Sequence, residues 1–116
     1  MREVIIEDEV KYKLADLKQE LLVSQGQVKG TKTFNSILSA IDDLEIFDVG
    51  RNIKDEFYVE CPDDWFLLYS NKNYFIFSRT DSLVTVLKMY NEKQDFIYDL
   101  FGIEMRSQES KDYWGE

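Results

Sequence analysis

Trp65-Phe66-Leu67-Leu68-Tyr69, Tyr74-Phe75-Ile76-Phe77 and Leu83-Val84-Thr85-Val86-Leu87 are three short apolar runs, parted by Asn71-Lys72-Asn73 and Thr80-Asp81-Ser82. Aromatic and β-branched residues suit a pleated, half-buried surface, and Asn, Asp and Ser favour turns. Runs this short with connections this tight predict an antiparallel meander. Upstream, 56–60 is a further edge strand or a loop, which Pro62 ends because proline cannot donate to a ladder.

The first half has a different period. Val10, Leu14, Leu17 and Leu21 follow one another at intervals of 4, 3 and 4, one apolar stripe along a helix. Asp8 is its expected N-cap and Gly26 its stop. A loop over 25–29 leads to a second helix opening at Gly30 and Thr31, with Phe34, Ile37, Leu38, Ile41 and Leu44 on one face. Gly50 ends that unit, giving a helical hairpin. Val4-Ile5-Ile6 is a short strand before it, and Phe96, Ile97, Leu100 and Phe101 form a short helix closed by Gly102. The expected class is α+β: strand, helical hairpin, a meander of three to four strands, then a helix. Its expected core is Leu14, Leu17, Phe34, Ile37, Ile41, Ile76, Val84 and Val86, with the two helical stripes on one face of the sheet. One domain over 1–103 and a polar tail over 104–116 account for the chain.

Composition narrows the chemistry. The 116 residues hold 14 Lys and Arg against 23 Asp and Glu, a net charge of −9. Binding to nucleic acid or to an anionic membrane rests on cations, so neither partner is expected. With 44% hydrophobic and 15% aromatic residues the chain has enough apolar surface for a core. It has no histidine, which removes Ser-His-Asp, Cys-His and imidazole–metal sites. Its glycines form no phosphate loop, no ligand spacing suggests a metal, and no cofactor is expected. Asp42-Asp43 and Asp63-Asp64 are adjacent pairs whose side chains diverge, as on a solvated surface. The single Cys61 can form no internal disulfide, and no basic cluster flanks it to activate the thiol. A charged N-terminus and the lack of a long apolar run fit a cytoplasmic protein.

In its order of elements the chain resembles the RelE/ParE superfamily of toxins from type II toxin–antitoxin pairs. Asp48-Val49-Gly50-Arg51-Asn52-Ile53 looks like the family's Gly-Arg turn, and Asn73-Tyr74-Phe75-Ile76-Phe77-Ser78-Arg79 is similar to its central YRxxY strand. Leu83–Leu87 resembles the last strand, and Gln94-Asp95-Phe96 with Asp99-Leu100-Phe101-Gly102-Ile103 resembles the ending of plasmid-stabilisation toxins. The resemblance spans about 3–103. RelE-type members cleave mRNA on the ribosome, using basic residues that orient the RNA and stabilise the charged transition state. Placed on this chain, those positions read Phe66, Leu68, Phe75 and Glu92, with only a terminal aromatic kept as Tyr98. A ParE-like toxin, which binds DNA gyrase rather than cutting RNA, does not need them.

The resemblance therefore implies a ParE-like toxin neutralised by a cognate antitoxin, without catalytic residues. A diverged ribosome-dependent endoribonuclease using Arg51, Arg79 or Lys88, and an acidic inhibitor or DNA mimic, are the alternatives. Arg51, Arg79, Lys88, Lys93 and Tyr98 are the candidate target or antitoxin surface; the plain reading of these cations is ordinary strand-edge and turn charge. Trp65, Tyr69, Tyr74 and Phe77 would line an antitoxin groove or be core. Antitoxins of the family are often acidic where they wrap the toxin, so a chain at −9 must hold one mainly by apolar contact.

Overall fold

In the computed structural model, which describes residues 1–102, the elements run β1 (Glu3–Ile6), α1 (Asp8–Gln25), α2 (Gln27–Asp42), β2 (Arg51–Asn52), α3 (Ile53–Phe57), β3 (Trp65–Ser70), β4 (Asn73–Arg79), β5 (Leu83–Asn91) and α4 (Phe96–Phe101). A 3-10 turn at Asp43–Glu45 follows α2. The five strands form one sheet in the order β1-β5-β4-β3-β2. From β2 to β5 it is the expected antiparallel meander; β1 joins parallel to β5, with Val4 opposite Val84. All the chain from α1 to β4 separates β1 from β5, which permits that parallel pairing, as a short turn could not.

Asn71 and Lys72 close the β3–β4 hairpin with φ of 47° and 68°. Two left-handed residues give a turn whose twist matches the strands it joins. Buried Asn73 holds it, donating from Nδ2 to the Asn71 carbonyl at 2.9 Å. On β5 the register shifts: Ile76 faces Lys88 but Phe77 faces Val86, so Leu87 is an inserted bulge residue. Beyond it Met89 faces the same way as Val84 and Val86, and Tyr90 the other way.

Both faces of the sheet are covered. Val10, Leu14, Leu17, Ile37, Ile41 and Leu44 of the helical hairpin pack on Phe75, Phe77, Val84, Val86 and Met89. On the opposite face Ile53, Val59, Leu67, Ile76, Tyr90, Phe96 and Ile97 form a second cluster. Two expectations change here. Ile76 is core, but alternation along β4 turns it away from the helical hairpin and under α3 and α4. Phe34 is only half-buried, its ring lying 5.7 Å from the Lys18 ammonium.

Three local readings also give way. Asp8 is not the N-cap: Glu7, whose N–H donates to the Val86 carbonyl just past β1, takes that place, so the helix starts one residue earlier and Asp8 falls in its first turn. The interhelical loop is Gly26 alone, at φ 87° and ψ 169°, which lets the chain reverse in one residue. Gly30 therefore lies inside α2, where an added Cβ would stand 2.6 Å from the Leu21 carbonyl oxygen. The edge strand is Arg51–Asn52, not 56–60. Asn52 Oδ1 accepts from the Asp55 N–H at 3.0 Å and starts α3, which Tyr58 ends in a left-handed conformation. The C-terminal helix is as expected, capped by Asp95 and by Gly102 at φ 71°. The tail 104–116 lies outside the described residues.

Ile37→Ala, which empties a fully buried site, should cost about 2–5 kcal/mol in urea unfolding. Gly30→Ala should cost about 1–3 kcal/mol by forcing the two helices apart. Unchanged midpoints for both would disprove the packing described.

Candidate protein-binding site

The candidate cations do not meet. Register puts Arg51, opposite Leu67, and Lys88, opposite Ile76, on the α3–α4 face, near opposite edges of the sheet. Arg79 shares the helical-hairpin face with Phe77. Each is already engaged. Arg51 holds Glu56 at 3.0 Å, and Lys88 holds both Glu9 carboxylate oxygens at 3.0 Å. The Arg79 guanidinium lies 4.0 Å from the Phe66 ring centre and donates to the Val49 carbonyl at 2.6 Å. Lys93 is exposed in the β5–α4 connection, and Tyr98 is half exposed on α4. The five residues are scattered structural and surface groups, not one constellation.

The positions expected to be basic carry a different lesson. Phe75 is fully buried, and Phe66 and Leu68 pack against the same cluster beneath the helical hairpin. A lysine or arginine at Phe75 would be buried in the core at high desolvation cost, and at the half-buried Phe66 or Leu68 it would displace packing against that core. Their apolar character thus serves packing. Glu92 instead accepts a hydrogen bond from the Tyr69 hydroxyl at 2.8 Å, which raises the Tyr69 pKa.

Nor do Trp65, Tyr69, Tyr74 and Phe77 line a groove together. Phe77 is buried under the helices, Trp65 and Tyr74 pack against the second cluster, and only Tyr69 is exposed. Cys61 is half-buried, and burial pushes its thiol pKa up, as in an unreactive thiol. Asp63 pairs with Lys54 at 2.8 Å, and this hydrogen bond holds its carboxyl below the usual range. Among the described residues no group of three or more His, Cys, Asp or Glu is placed to hold a metal ion.

An open groove of about 790 Å³ separates the tip of the helical hairpin from the β3–β4 turn. Leu17, Leu21, Val23 and Gln25 of α1 and Thr33 of α2 form one wall; Asn71, Lys72 and Asn73, with Asn91, form the other. Its charged lining residues are Glu20 and Lys72, which offset each other. The walls are fixed: Thr33 Oγ1 donates to Gln25 Oε1 at 2.8 Å, and the Glu92 N–H donates to the Lys72 carbonyl at 2.9 Å. Its apolar side chains, Leu17, Leu21 and Val23, lie on the α1 wall and are faced by polar groups, a lining suited to side chains of another protein. One sequence signal pointed to it. Leu21-Leu22-Val23 puts three consecutive apolar residues at the end of α1, more than one helix face can bury.

On the far face, α4 is tied down by the Tyr90 hydroxyl, which donates to Asp99 Oδ2 at 2.9 Å.

No family model matches the chain, and no curated protein matches it in sequence. Among solved structures it is similar to the chromosomal ParDE toxin–antitoxin system from P. aeruginosa, with a TM-score of 0.62 over 78% of this chain and 96% of that one, at 16% identity. A likeness at this identity establishes the fold. The chain shares the fold of that structure, α+β with an N-terminal strand, two helices, a mixed five-stranded sheet and a short C-terminal helix.

Burial first, and then the bond to Asp99, push the Tyr90 pKa well above the usual tyrosine value of 10.0. The folded state thus favours neutral Tyr90. Its contribution is complete below about pH 10, where the unfolded phenol is also neutral, and is lost as pH rises further. An absorbance titration should show a late phenol that Tyr90→Phe removes. Early titration of every tyrosine would contradict the α4 anchor.

Proposed function

We propose that this chain is the toxin of a type II toxin–antitoxin module of ParE kind, acting by binding a protein target such as DNA gyrase. In this reading a cognate antitoxin neutralises it by laying apolar side chains into the groove between the helical hairpin and the β3–β4 turn. The carrying observation is that apolar groove on a ParE-like fold. Further support comes from Arg51, Arg79 and Lys88, which are spent on Glu56, on Val49 with Phe66, and on Glu9. Catalysis without a metal needs cations aimed at one phosphate. The same reading places the protein in a reducing cytoplasm. It is consistent with a single half-buried thiol and with the lack, among the described residues, of a helix long and apolar enough to cross a membrane.

Induced expression in a bacterial host should arrest growth, and co-expression of a short, helix-rich protein from a neighbouring gene should restore growth. With that protein as ligand, Val23→Asp puts a charge on an exposed lip of the groove and should weaken binding at least ~10-fold, or about 1.4 kcal/mol. Because the two lining charges offset, affinity should change less than ~3-fold between low and moderate salt. A steep loss of affinity with salt, or full affinity in Val23→Asp, would remove the groove as the antitoxin site.

A further inference from the structure

The opposite end of β4 carries a second surface. Between the 3-10 turn and β2, residues 46–49 read Ile-Phe-Asp-Val. Ile46 is 60% exposed, Phe47 54% and Val49 40%. A floppy loop would explain this exposure, but these residues are pinned. The N–H groups of Ile46 and Phe47 donate to the Asp43 carbonyl at 3.1 and 2.9 Å, and that of Arg2 donates to the Glu45 carbonyl at 3.0 Å. Arg2 also pairs with Asp48, and Arg79 bonds the Val49 carbonyl. Gly50, at φ 101°, seats the exit so closely that a Cβ would lie 2.9 Å from the Phe77 ring. A rigid backbone thus presents three apolar side chains to water, where they add little to folding.

Carboxylates outnumber cations around them. Asp42, Asp43 and Asp81 are exposed, Asp48 is paired with Arg2, and Glu45 and Asp81 border a small cleft that Ile46 shares with Met1 and Arg2. The nearby cations are occupied, Arg2 by Asp48 and the carbonyls of Leu44 and Thr80, Arg79 by Phe66 and Val49. An acidic rim repels nucleic acid and anionic lipid. A second copy of the chain, also at −9, is disfavoured by the same long-range repulsion.

From this we infer that loop 46–49 is a docking surface for a Lys- or Arg-rich segment of another protein, one that carries apolar side chains. Phe47 and Ile46 take the apolar contacts, and Asp42, Asp43 and Asp81 receive the cations. This surface lies about 20 Å from the groove along β4, so one molecule can use both. The assignment does not depend on the groove being the antitoxin site.

Two synthetic peptides with identical Leu and Phe positions, one with Lys and one with Glu at every polar position, test it against the full chain by NMR titration. The Lys peptide should shift the amides of 46–49, and the Glu peptide should shift none of them. Phe47→Ser and Ile46→Ser, both at exposed sites and each checked for a folded spectrum, should weaken the Lys peptide at least ~5-fold. Tyr12→Ser, another exposed aromatic on α1, should leave its affinity within ~2-fold. Equal binding by wild type and both loop variants, or shifts centred on the groove, would overturn the proposal. Self-association that Phe47→Ser abolishes would also overturn it, giving the loop to a second copy.

Discussion

β4 is apolar on both faces, and everything else in the molecule is arranged to keep it dry. Phe75, Ile76 and Phe77 are consecutive and all 0% exposed. Alternation along a strand sends the two phenylalanines one way and the isoleucine the other, so no single layer can cover all three. The helical hairpin covers Phe75 and Phe77, while α3 and α4 cover Ile76. Fully burying one such side chain contributes about 1.5–3 kcal/mol, which makes this three-layer arrangement a condition of stability. Gly50 belongs to the same constraint, since it lets the chain cross the Phe77 ring on its way to β2.

The parts of this plan that rest on periodicity were legible in the sequence. Val10, Leu14 and Leu17 recur at helical spacing and are buried together, and the runs flanking Asn71-Lys72 pair as expected. What escaped depends on single backbone conformations or on contacts distant in sequence. A five-residue helix such as α3 has too few turns to show a period; its signals are the Asn52 cap and the left-handed Tyr58. Gly26 and Gly30 both look like breakers, yet one is the whole turn and the other is a helix contact. The bulge at Leu87 turns Tyr90 toward α4 without leaving a mark in the composition.

Function was less legible because charge in a sequence carries no partner information. Arg79 is adjacent to polar Ser78 and Thr80, but its guanidinium sits on Phe66 and anchors a loop. Lys88 is committed to Glu9, 79 residues away in sequence. With its cations so used, the molecule offers two apolar surfaces at opposite ends of β4. One is a trough with offsetting charges; the other is a short ridge with an acidic rim. Both are suited to recognition of proteins.

Primer-extension mapping of transcripts on translating ribosomes after induction is the most direct measurement of whether this fold acts here by binding or by cleavage. The expected result is intact mRNA throughout growth arrest, with wild type and Arg79→Ala giving the same pattern. Codon-specific cuts that vanish in Arg79→Ala or Lys88→Ala would contradict it and make the chain a nuclease.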